Sequence, residues 1–109
     1  MSAALLLAAA LALRLGAGPA HAAAPVAVVI AGHRFTPPEV AVPAGVPLTL
    51  RVENHDPTPE EFESHEFPAE KLVPGGGAIL LHIPPLKPGR YRFFGDYHPA
   101  TAQGALVAR

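Results

Sequence analysis

Proline sets the limits of this fold. Fourteen prolines and ten glycines are spread along the 109 residues. Proline lacks the backbone donor that a helix interior or a central strand needs, and glycine weakens both. No window keeps a 3.6-residue apolar period for three turns, so helix is nearly excluded. Between the turn residues lie short apolar or alternating runs. PVAVVIAG predicts a strand at roughly 26–31, and PEVAVPAG a short second one ending in a Pro-Ala-Gly turn. VPLTLRVEN sets Leu48, Leu50 and Val52 against Thr49 and Arg51, the clearest alternation in the chain. EEFESHEF, AILLHIP, RYRFFGDYH and GALVAR follow as further strands, and PAEKLVPGG has room for one helical turn at most. About seven strands at this spacing predict an all-β Greek-key β-sandwich. Phe35, Leu50, Phe62 or Phe93, and Tyr91 are its expected core.

The N-terminus predicts export. MSAALLLAAALALRLGAGPAHA holds an apolar run of about ten residues, short of the roughly 20 that span a bilayer. It ends in small residues that suit cleavage after Ala22 or Ala24, although Lys and Arg are missing before the apolar run and Arg14 interrupts it. We read 1–24 as a signal peptide, which would also remove His21, and 25–109 as one secreted, periplasmic domain. A domain of that size buries only about 60% of its unfolded surface. Small secreted domains often add disulfides, but this chain has no cysteine. That excludes a disulfide framework, a cysteine-linked lipid anchor and a thiolate metal ligand. Without Arg14 the chain carries seven basic and nine acidic residues, a balance that does not suit nucleic acid.

Residues 53–67, ENHDPTPEEFESHEF, hold six carboxylates and two imidazoles with no Lys or Arg. Most charge runs are solvated loops. In an extended segment, however, Glu61, Glu63 and His65 point to one side and Glu60, Phe62 and Ser64 to the other. If Phe62 enters the core, the first trio points outward and offers half a site for a hard or borderline cation. A second group, Asp96 and His98, lies in the loop YRFFGDYHPATAQG, where a sandwich commonly builds its sites. Its plain alternative is a turn-capping Asp96 and a surface His98. His33 sits in a loop that reaches either pole, His55 in a Pro-rich turn, and His82 at a surface-facing strand position. Neither serine, Ser2 or Ser64, lies in a nucleophile elbow, and PGGGA lacks the Lys and helix of a phosphate loop. A sugar-cleaving carboxylate pair would need a cleft larger than this domain offers. We expect no catalysis, leaving open oxidation of a bound metal.

FTPPEVAVPAGVPLTLRVENHD, EFES, EK and LKPGRYRFFGDYHPATAQGALV together resemble the cupredoxin-like domain family, in particular its EfeO-type branch, over about residues 26–109. Blue-copper members that this chain resembles hold copper with two His, a Cys and usually a Met. The resemblance places Gly95 at the Cys position, His98 at the second His, Ala102 near the Met and Glu61 nearest the first His. One of those four ligands is kept, and the thiolate of a blue site is lost. The resemblance further implies that Glu61, Glu63, Asp96 and His98 converge at one pole, with His65 as a fifth donor. The ion would be copper(II) or iron, handed to a membrane permease or a periplasmic partner, with membrane contact only through that partner. A metal-free domain that docks its acidic segment on a permease or partner is the alternative. A copper-dependent electron carrier is the second alternative.

Overall fold

The computed structural model describes residues 24–109, so the expected signal peptide lies outside it but for Ala24. Nine strands follow one another: β1 Val26–Ala31, β2 Arg34–Thr36, β3 Glu39–Val42, β4 Leu48–Asn54, β5 Glu60–Ser64, β6 Ala69–Val73, β7 Ala78–Ile83, β8 Gly89–Gly95 and β9 Gln103–Ala108. Among the described residues there is no helix. The strands form two sheets, ordered β2-β1-β4-β7 and β3-β9-β8-β5-β6. β1 runs parallel to β4 and β3 parallel to β9, while the other pairs are antiparallel. Parallel partners need a crossover. The chain therefore leaves the first sheet after β2, β4 and β7, and the second after β3 and β6.

Two strands exceed the sequence expectation. β2 is a three-residue return from β1. Residues 69–73, expected to hold at most a helical turn, form β6 instead. The reason is tertiary: β5 supplies a ladder from Glu60↔Val73 to Ser64↔Ala69, and pairing overrides a weak local preference. EEFESHEF is strand only as far as Ser64. There the Ser64 hydroxyl donates to Arg92 O and accepts from the amides of Glu66 and Phe67, which turns the chain out of the sheet.

The core is where the alternation placed it. Leu48, Leu50 and Val52 are buried, and Arg51 between them is exposed. Phe35 meets Phe93 edge-on at 4.9 Å, and Phe62 stacks on Phe93 at 4.9 Å, so one ring joins both sheets. Both Phe62 and Phe93 are buried, and Tyr91 packs against the cluster from a half-buried position.

One end of the sandwich is organised by side-chain to backbone bonds. Asn54 is buried; its amide donates to Thr58 O and Val73 O, and its carbonyl accepts from Asp56 N. That turn aims the Asp56 carboxylate at the β1–β2 connection. Its two oxygens accept from Gly32 N at 2.7 Å and His33 N at 2.9 Å. Gly32 and His33 have φ of 60° and 57°, the left-handed pair a two-residue hairpin requires. Glycine takes that conformation freely and histidine does not. The Asp56 bonds thus hold His33 in a backbone state it would otherwise leave.

Two expectations follow. Phe93→Ala should cost about 3–5 kcal/mol, whereas Leu72→Ala, at a half-exposed site, should stay within about 0.5 kcal/mol; urea melts compare them. The His33 and Gly32 amides hold the Asp56 carboxyl below its ordinary value of 3.8. A depressed carboxylate adds stability above its unfolded pKa and loses it as pH falls through the folded value. Asp56→Asn should therefore flatten the stability–pH curve below about pH 4 and leave its slope near neutrality unchanged, read as melting temperature against pH.

Candidate metal centre

β5 carries acids on both of its faces. Glu60, Phe62 and Ser64 are buried, and Glu61 and Glu63 are half-buried on the opposite face. Phe62 does enter the core, so Glu61 and Glu63 point outward, as the period of two requires. The pole and the outer face are thereby two separate chemical settings.

On the outer face Glu61, Glu63 and Glu70 bring carboxylate oxygens within 4.8 Å of one another. Glu70 comes from β6, directly opposite Glu63 in the ladder. His65 Nε2 donates to Glu63 Oε2 at 2.9 Å and lies edge-on to Phe94. Asp96 N donates to Glu61 O, which ties the 95–102 loop to β5. The Glu61 carboxyl is pushed up from its ordinary value, first by a hydrogen bond with Glu63, then by partial burial and the charges of Glu70, Glu63 and Asp96. Like charges opposite each other weaken a ladder. Among the described residues, His65 is the one ion-pair partner this trio has.

The pole faces inward and is built differently. Glu60 is 1% exposed. Its Oε1 accepts from Glu61 N at 3.0 Å and Tyr97 N at 2.8 Å, and its Oε2 accepts from His98 Nδ1 at 2.6 Å. The His33 and His98 rings stack with centroids 3.5 Å apart and planes 8° apart. The 95–102 loop closes on itself through Gly95 N to Ala102 O and Ala102 N to His98 O.

Of the five candidate ligands, the structure brings Glu61 and Glu63 together, sets His65 against Glu63, and places the Asp96 charge near Glu61. It does not bring His98 to them, because His98 turns to Glu60 on the other side of the strand. The expected convergence of all four at one pole is therefore corrected. The carboxylate facing His98 and Gly95 is Glu60, one residue before the position that resemblance assigns. Sequence reasoning missed Glu70, because its own strand, β6, was expected to hold one helical turn at most. It also left Glu60 without a role, though its inward parity was legible. His33 was open to either pole and stacks on His98. His55 and His82 are exposed, His82 within 3.3 Å of the Thr49 hydroxyl.

The sequence matches the cupredoxin-like domain family over residues 3–108. An uncharacterized protein of Rickettsia prowazekii (strain Madrid E) is 44% identical over 82 residues, 75% of this chain and 66% of that protein. The chain thus spans just under two thirds of that relative's length. Among solved structures, the reduced state of an amicyanin mutant superposes with a TM-score of 0.63 at 20% identity, over 78% of this chain and 82% of its own. A purple cupredoxin from Nitrosopumilus maritimus superposes at 0.61 with 16% identity, over 77% and 99%. Identity this low speaks for the fold alone. With a family match that runs through every strand of both sheets, it leaves one assignment: the chain belongs to the cupredoxin-like domain family.

Proposed function

We propose that this domain binds a metal ion on the outer face of its five-stranded sheet and hands it to a membrane uptake system. The observation that carries the proposal is the meeting of the Glu61, Glu63 and Glu70 carboxylates within 4.8 Å, with His65 beside them. Three oxygen donors and an imidazole suit a hard or borderline ion, and iron or copper(II) is the expected cargo. The fit is chemical. The Glu61 carboxyl is raised by its hydrogen bond with Glu63, by partial burial and by the charges of Glu70, Glu63 and Asp96, and a cation would offset those charges.

The rest of the proposal leans on the resemblance to the EfeO-type branch. It makes the chain a periplasmic protein, exported on residues 1–24, that serves a membrane permease or periplasmic partner of an iron or copper uptake system. Nothing in it requires catalysis. A metal-free docking role is the second reading, favoured by Leu72, which is half-exposed beside the acidic group and directly across from Glu61. Electron transfer of the blue-copper kind is disfavoured, since the chain offers no thiolate.

Calorimetric titration of residues 25–109 with copper(II), ferric citrate, manganese(II) and zinc(II) tests the proposal. Glu61→Ala/Glu63→Ala should weaken binding by about tenfold or more, roughly 1.4 kcal/mol or above. Unchanged metal affinity with weakened partner binding would favour the docking reading. The pH dependence has a definite sign. Metal ligands must be deprotonated, so affinity should fall as pH drops through the raised Glu61 value and level off above it. A titration series from neutral to mildly acidic pH measures this, and Glu61→Gln should remove most of the slope.

A further inference from the structure

Copper, the ion that the fold family implies, would sit at the pole between β5 and the 95–102 loop, and the residues of this chain do not fit it there. Gly95 stands where resemblance puts the thiolate. A Cβ at Gly95 would lie 2.6 Å from Glu60 Cδ and 2.8 Å from Ala102 Cβ. No side chain enters that space without displacing Glu60. The nitrogen of His98 that faces inward, Nδ1, is already bonded to the Glu60 carboxylate. One face of its ring is covered by His33. Among the described residues, no buried side-chain nitrogen or oxygen lacks a partner, so none is aimed at a missing ligand.

We infer that Glu60 replaces the metal at this pole and closes it to metal ions. A metal there would bridge β5 to the loop after β8. Glu60 makes that bridge with protein atoms alone. From β5 its carboxylate accepts from the backbone of Tyr97 and the ring of His98, both in the loop. Bonds to an ionised acceptor are shorter and stronger than neutral ones. A buried carboxylate is costly unless its oxygens are satisfied, and both oxygens of Glu60 are. It follows that the loop is held without an ion, and that any ion taken by the outer face leaves the pole unchanged.

The test uses the full chain labelled with nitrogen-15 at histidine, with zinc(II) and silver(I) as probes of borderline and soft metal binding. In the wild-type protein, the ring nitrogens of His98 should keep their shifts with either ion in stoichiometric amounts. A coordination shift at His98 Nδ1 with either ion overturns the inference, and this arm needs no variant. Glu60→Gly frees His98 Nδ1 and the space beside Gly95. In that variant zinc(II) should move the His98 signal, with circular dichroism and a cooperative melt confirming a folded sandwich. A folded variant whose His98 still ignores zinc(II) would also overturn it, since Glu60 would not be what closes the pole. Outer-face binding is read separately on the His65 ring, so the failure of the proposed function and the failure of this inference are distinguishable.

Discussion

A carboxylate buried at the end of a β-sandwich must be given donors, and Glu60 has three. One is the amide of its own neighbour, and two come from the loop that closes the sandwich. At 1% exposure bulk solvent does not reach it. The loop conformation and the position of β5 are therefore fixed together. If the loop moved, Glu60 would lose its partners; if β5 slipped by one residue, Phe62 would leave the core and Glu61 would enter it. The Asp56 carboxylate does related work next to it, holding the β1–β2 hairpin so that His33 covers the ring of His98. Two acids thus determine how the end of the sandwich is assembled.

The outer face follows from the same strand. Because Glu60 points in, Glu61 and Glu63 point out, and the pairing with β6 sets Glu70 opposite Glu63. The carboxylate group on the surface is not an accident of a flexible loop. It is built on two paired strands whose register is fixed from the buried side. That rigidity keeps the oxygens close despite repulsion, and the Glu63 hydrogen bond, partial burial and the neighbouring charges together raise the Glu61 carboxyl. Energy spent in packing Phe62 and satisfying Glu60 holds the surface charges together.

Much of this was legible in the residues. The proline spacing excluded helices, alternation in VPLTLRVEN and EEFES assigned inward and outward faces, and the loop around His98 was marked as a site. The misses share a physical cause, since each depended on contacts between segments distant in sequence. AEKLV has no local strand signal, so β6 appears only once β5 offers a ladder, and Glu70 with it. The His98 ring turns to Glu60, 38 residues away, because that carboxylate needs a donor. No pattern inside the 95–102 loop reveals this. One residue separates Glu61, which resemblance sets nearest the first His, from Glu60, which meets His98, and in a strand that shift means the opposite face.

That shift carries the chemistry of the chain. Adjacent residues on a strand share their backbone yet live in different solvents. Glu60 is enclosed by amides and an imidazole, where its charge is spent on holding protein together. Glu61 faces water and two other carboxylates, where its charge is left for something outside the fold. A sandwich of this kind can give up the soft ligands of its pole because an internal anion takes over their cross-linking. Once that has happened, nothing in the packing of the pole restricts what the outer face binds. The donors available there are three carboxylates and the His65 imidazole, a set that favours harder ions than a thiolate does. One step along β5 thus separates an internally satisfied acid from an outward group of carboxylates.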